Sequence, residues 1–162
     1  MTHKINISIA EQKLLLQEEG KQALEFSISS AKNGVGQASG SGCTPLGKHY
    51  IRAKIGNGCP LGSVFVGRRW TQEIYSEELA AQFPKRDWIL SRILWLSGLE
   101  LGMNRLGKVD SMQRYIYIHG TPDTEPMGVP LSHGCIRMRN NDLIQLFDKI
   151  SLDSLVDVQI DA

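Results

Sequence analysis

The sequence predicts a mostly β domain, sandwich-like or barrel-like, with one or two short helices. Three observations predict it. Short segments alternate apolar and polar residues in period two, Gly-rich turns separate them, and clear helical spacing surfaces only near the C-terminus. At 162 residues the chain suits a single domain over 1–162, with no repeat or low-complexity linker to divide it.

Ile5, Ile7 and Ile9 face one side of a first strand. After the polar Glu11, Gln12 and Lys13 comes LLLQEEGKQALEFSIS, where Leu24, Phe26 and Ile28 alternate again, so two strands turn at EEGK. From Ser29 to Gly47 the density of Gly, Ser and Asn makes a loop, one able to border a site. KHYIRAKIG and SVFVG read as short strands. Helical spacing is weak from Ile74 to Phe83, where Pro84 ends it, and leaves that segment undecided.

From Trp88 to Leu96 the even positions Trp88, Leu90, Leu94 and Leu96 oppose Ile89, Ile93 and Trp95, which suits a strand buried on both sides. A helix is the rival there, and both tryptophans read as core rather than as a ligand platform. RYIYIHG alternates β-branched and aromatic residues up to His119, where Gly120 breaks the run, so His119 stands at a strand end. Asn140 or Asn141 caps a helix in which Leu143, Leu146, Phe147 and Ile150 recur at helical spacing, and LVDVQI closes the chain as a strand.

Composition excludes several functions. With 18 basic and 17 acidic side chains the net charge of +1 gives no field to draw in nucleic acid or an anionic membrane. MTHKINISIAEQK lacks an apolar core of signal-peptide length, and WILSRILWLSGLELG carries Arg92 and falls short of a bilayer span. No membrane segment is predicted, and a cytoplasmic location is. Cys43, Cys59 and Cys135 form no CxxC pair and cannot all be disulfide-bonded within one chain, which fits a reducing compartment. Of the four histidines none stands at HExxH spacing, so a metal site is the weak reading and no cofactor is predicted. Gly34 and Gly36 form a GxG with no GK(S/T) after it, which discards nucleotide binding. Cys43 and Cys59 read as small buried hydrophobes, and His3 and His49 as structural or solvent-facing.

Chemistry concentrates in IHGTPDTEPMGVPLSHGCIRM, residues 118–138. A thiol with an ordinary pKa near ~8.5 needs an imidazole or a positive environment to act as a nucleophile at neutral pH. His133 lies two residues from Cys135, yet Gly134 between them permits a turn that sends His133 elsewhere. His119 lies 135 − 119 = 16 residues upstream, and the Pro- and Gly-rich loop between can fold it back beside Cys135. Spacing supports either histidine. Gly134 also lets backbone N–H groups turn toward an oxyanion, and Arg137 is placed either to hold a substrate carboxylate or to pair with an acid such as Asp142.

These residues resemble the active-site signature of the L,D-transpeptidase catalytic domain family, also called YkuD-like. A strand-end histidine precedes a Ser-His-Gly-Cys-Ile-Arg-Met block, and an Asn-Asp pair then opens a helix. TPLGKHYI is similar to the family's TPxGxHxI strand and DWILSRILWLSGLELGMNR to a segment of its Gram-negative members, so the resemblance covers nearly the whole chain. It implies a β-sandwich-like fold and cysteine acyl transfer on peptidoglycan stem peptides. Carried over by residue, Cys135 is the nucleophile, His119 the base and later the acid, and Gly120 the carbonyl that orients the imidazole. His133 shapes the site, Gly134 and Cys135 offer oxyanion N–H groups, and Arg137 anchors motif or substrate. Water as acceptor makes an L,D-carboxypeptidase that trims tetrapeptides, an amine makes an L,D-transpeptidase. The leaderless N-terminus favours a cytoplasmic L,D-carboxypeptidase of wall recycling over an exported, periplasmic transpeptidase whose leader was removed. A catalytically silent stem-peptide-binding module is a third reading, one with no need of a base and a nucleophile together.

Overall fold

The computed structural model describes residues 3–161. Its strands are β1 (His3–Ser8), β2 (Lys13–Glu18), β3 (Leu24–Ser29), β4 (Gly47–Ile55), β5 (Ser63–Val66), β6 (Arg69–Ile74), β7 (Ile89–Gly98), β8 (Tyr117–Gly120), β9 (Ile136–Met138) and β10 (Leu155–Gln159), with helices α1 (Glu77–Gln82) and α2 (Asn140–Lys149). The mostly β fold follows the period-two reading, and β7 is a strand and not its helical rival.

The strands hydrogen-bond in the order β4-β10-β1-β2-β3-β9-β8-β7-β5-β6, and a further pairing of β4 with β7 closes eight of them into a ring. Most neighbours are antiparallel. Two pairs are parallel, β1 with β10 and β8 with β9. The β5–β6 hairpin extends from β7 beyond the ring. Its two-residue turn holds Gly67 and Arg68 at φ of +57° and +63°, the primed geometry that matches strand twist. β6 was not among the strands read from the sequence, because its RWTQEI is polar and largely exposed.

Inside the ring Ile5, Ile7, Leu14, Leu16, Ile28, Ile51, Leu94, Leu96, Ile118, Ile136, Val156 and Val158 form the main core. Helix α2 adds Leu143, Leu146 and Phe147, each contributing about 1.5–3 kcal/mol by leaving water. Lys54 holds its far end, donating Nζ to the carbonyls of Phe147 and Ile150 at 2.6 Å each, where the helix dipole favours a cation. A smaller cluster of Phe65, Ile93 and Tyr117 covers the other face of β7 and β8. Between Leu90 and Ile93 a bulge with Ser91 at φ +72° inserts two extra residues, so the alternation of β7 keeps its parity.

Four local expectations change. Gly120 does not break the run but belongs to β8, paired with Leu90 and Met138. RYIYIHG is extended only from Tyr117, because Arg114 and Tyr115 form a turn with Tyr115 at φ +55°. Ile9 falls in the turn after β1. Neither Asn140 nor Asn141 caps α2. Arg139 is the N-cap and makes no side-chain cap bond, while Asn140 begins the helix with its amide buried among other partners. Among the described residues no helix is long and apolar enough to cross a membrane.

Candidate active site

β8 and β9 run parallel in the register Ile118↔Ile136, His119↔Arg137, Gly120↔Met138. Ile118 and Ile136 point into the main core, so residues one step away point out of it, because strand side chains alternate. Tyr117 and His119 therefore share the outer face of β8. Cys135, just before β9, packs on that face against Tyr117, Phe65 and Ile93. Parity thus places His119, Cys135 and Arg137 together. His133 is directed elsewhere: its side chain is 76% exposed and its Nδ1 lies 3.8 Å from the Asp87 carboxylate.

His119 donates Nδ1–H to the Gly120 carbonyl at 2.6 Å. A carbonyl only accepts, so the neutral ring carries its proton on Nδ1 and leaves Nε2 as a base. Nε2 has no hydrogen bond among the described residues. Burial lowers the imidazole pKa below its usual value and Arg137 adds to that, while the Gly120 carbonyl and Asp87 pull it back up. Gly120 is required by space: a Cβ there would run into Asn140 Oδ1 and the Leu90 carbonyl.

The thiol is held by backbone alone. Tyr117 N–H donates to Sγ at 3.4 Å, and Sγ–H donates to the Tyr115 carbonyl at 3.3 Å. Burial pushes the thiol up to about 12, and Asp87 adds to the rise against the Tyr117 N–H, Arg137 and Arg114. Cys135 keeps an accessible edge as a half-buried residue, yet the protein packed around its sulfur leaves few waters to solvate a thiolate. Burial thus favours the neutral form of both groups, the thiol and the imidazole.

Gly134 sits at φ +133°, a conformation that disfavours any side chain. Of the two N–H groups read as oxyanion donors, that of Gly134 is donated to the Ser132 hydroxyl at 3.2 Å, and that of Cys135 has no hydrogen bond among the described residues. Ser132 closes the turn by donating its hydroxyl to the Cys135 carbonyl at 2.5 Å. Thr44 donates to the Gly134 carbonyl at 2.9 Å, and Arg114 donates to the carbonyls of Gly36, Gln37 and Cys43. The Gly-rich loop is thereby fastened against the cysteine turn, which is how it borders the site.

Arg137 has a side chain only 10% exposed and faces Asp87 at 3.7 Å and Glu125 at 4.0 Å. Its acidic partners are these two and not Asp142, which lies on α2. Asp87, Glu125, His133 and Arg137 line a cleft of about 320 Å³ with Tyr75 and Trp88. Trp88 is thus a cleft wall packed edge-on against Tyr75 at 5.1 Å, not core, and Trp95 is half-buried with Arg68 over its ring. Cys43 and Cys59 are likewise half-buried rather than buried, Cys59 against the smaller cluster and Cys43 in the loop beneath Gly134. His49 is structural, bonded to Gly47 and Ser111, and His3 faces Glu18.

Several site residues escaped the sequence reading. Tyr115 and Tyr117 act through their backbone, which side-chain identity does not reveal. Asp87 comes from a segment 135 − 87 = 48 residues away. Asn140 was visible beside the cysteine block but was read as a cap.

The L,D-transpeptidase catalytic domain family, YkuD, has a model that matches residues 2–158. No curated protein matches the chain by sequence. Among solved structures, an L,D-transpeptidase from Mycobacterium smegmatis superimposes with a TM-score of 0.57 at 17% identity, over 97% of this chain and 58% of that one. L,D-transpeptidase 3 from Mycobacterium tuberculosis, in complex with a faropenem-derived adduct, gives 0.58 at 14% identity over 98% and 60%. A mutant of the Enterococcus faecium L,D-transpeptidase gives 0.55 at 17% identity over 98% and 50%. The chain thus spans between half and three-fifths of these proteins, and at such identities the likeness is one of fold.

Proposed function

The chain belongs to the L,D-transpeptidase catalytic domain family, and on that premise we propose that it is a cysteine-dependent L,D-carboxypeptidase. It releases the terminal D-alanine from peptidoglycan tetrapeptides in cell-wall recycling. The observation that carries this reading is that His119 on β8 and Cys135, just before the parallel β9, share one face of the sheet, with the Gly120 carbonyl 2.6 Å from Nδ1 keeping Nε2 free as a base.

Because thiol and imidazole are both neutral at rest, His119 acts as a general base and not as half of a preformed ion pair. Nε2 takes the thiol proton as Sγ attacks the carbonyl carbon of the third stem residue, and the C=O pair moves onto oxygen. Leaving the Tyr115 carbonyl frees the thiol for that transfer. The N–H of Cys135, without a hydrogen bond among the described residues, is available to donate to the developing oxyanion. Collapse expels the amine of D-alanine, which takes the proton from Nε2, and leaves a thioester. Water then attacks with Nε2 again as base, the C–S bond breaks, and the thiol regains its proton.

Water as acceptor is supported by three free thiols, Cys43, Cys59 and Cys135, which suit a reducing compartment where soluble muropeptides are at hand. Incubating the protein with purified tetrapeptide, alone and with a free D-amino acid, tests the reading. Tripeptide should predominate in both, and Cys135→Ala should make none. Exchange or dimer exceeding tripeptide would replace water by an amine acceptor. Turnover surviving in Cys135→Ala would remove the nucleophile.

A further inference from the structure

Arg68 occupies the tip of the β5–β6 hairpin in a left-handed conformation that a non-glycine residue seldom adopts. What it gains there is an aromatic seat. Its guanidinium carbon lies 4.6 Å from the centre of the Trp95 ring and 5.0 Å from that of Tyr115, and Nη1 donates to the Tyr117 hydroxyl at 3.0 Å. Tyr115 and Tyr117 are also the residues whose backbone holds the Cys135 sulfur. The wall that fixes this cation is therefore the wall that fixes the nucleophile.

Arg68 and Arg137 differ in availability. Arg137 is buried against Asp87 and Glu125. Arg68 has no carboxylate within ion-pairing distance among the described residues, and one hydroxyl contact leaves most of its N–H fork unused. A planar fork stacked on rings, preorganised and unpaired, matches a carboxylate.

We propose that Arg68 is a specificity-determining residue that binds a carboxylate of the acyl-donor peptide. This rests on the reading of the site as one that acts on stem peptides. The carboxylate is either the C-terminal one or one borne within the peptide.

The test follows donor consumption, whatever the acceptor, by wild type, Arg68→Lys and Arg68→Gln. Three peptides are compared: the free acid, its C-terminal amide, and a peptide amidated only at its internal carboxylates. Arg68→Gln should raise KM for the free acid about 10-fold or more with kcat changed far less, and Arg68→Lys should restore part of the loss. The loss should vanish on the one amide that lacks the partner, which identifies the carboxylate. Equal losses on all three peptides, or none on any, overturn the proposal. Calorimetry of the same peptides on Cys135→Ala, with and without Arg68→Gln, separates the two readings. Arg68-dependent preference for the acid without any wild-type turnover sinks the enzymatic reading and keeps this one. Turnover without such a preference sinks this one alone.

Discussion

Ser91 donates its hydroxyl to Oδ1 of Asn140 at 2.7 Å, and so joins the bulge of β7 to the first residue of α2. The same amide gives Nδ2 to the Thr121 carbonyl at 2.9 Å. Asn140 Oδ1 stands where a Cβ on Gly120 would go, so the residue whose carbonyl sets the His119 tautomer is packed against a side chain that makes no hydrogen bond to the imidazole.

Asn140→Ala leaves the Ser91 hydroxyl and the Thr121 carbonyl buried without their partner. We predict a loss of about 2–4 kcal/mol in urea denaturation. The kcat for tripeptide release should fall with it, about 10-fold or more, as His119 loses its fixed setting. A variant as stable as wild type would show that the amide is dispensable.

A neutral resting thiol predicts slow alkylation. The rate constant for iodoacetamide on Cys135 should be low at pH 7 and keep climbing up to the highest pH the fold tolerates, since burial holds the thiol near about 12. A plateau below pH 8 would mean a preformed thiolate.

Asp87 raises the pKa of both His119 and Cys135. In Asp87→Asn both should fall. Activity needs a neutral imidazole, so the acid limb of kcat/KM, already below the ordinary histidine value, should move to still lower pH, and alkylation at fixed pH should quicken. An acid limb that moved upward would exclude this electrostatic role.

His49 is fully buried, and burial lowers its pKa to about 4. The unfolded chain binds this proton near pH 6.5 and the native protein only near 4, so between these values the unfolded state holds more protons. Stability should therefore fall as pH drops from 6.5 to 4, by up to about 3 kcal/mol from this group, with nothing further lost below that. Denaturation of wild type and His49→Gln at pH 7, 5.5 and 4 isolates the contribution. Parallel pH dependences would assign the loss to other groups.

Most strands were legible because one face alternates with the other, and Ile5 and Ile7 or Leu94 and Leu96 mark their inner faces directly, whereas the exposed β6 and the three-residue β9 were not. Ring closure was not, since pairing His49 with Gly98 is a non-local event that no local pattern encodes. The candidate nucleophile and two candidate bases were likewise plain in the sequence. The family resemblance favoured His119 over His133, and the parallel register of β8 and β9 adds side-chain direction, where spacing sets only distance along the chain. Asn140 was misread because a residue that begins a helix looks like a cap until its side chain is seen turning inward. Arg68 was missed because its significance lies in Trp95, Tyr115 and Tyr117, which reach it from two other segments.

The parallel pairing of β1 with β10, Lys4 opposite Leu155, bears on how the molecule is made. A ribosome delivers β1 before every other strand of the ring and its partner β10 only after helix α2 has been synthesised. Until then one edge of β1 and one edge of β4 stay without their partner, since β10 is the strand that bridges them. The ring closes behind Cys135, not before it. Cys135 leaves the ribosome into a scaffold that is still open, and the ring whose outer face carries it and His119 is completed by β10, a strand that supplies none of the site residues.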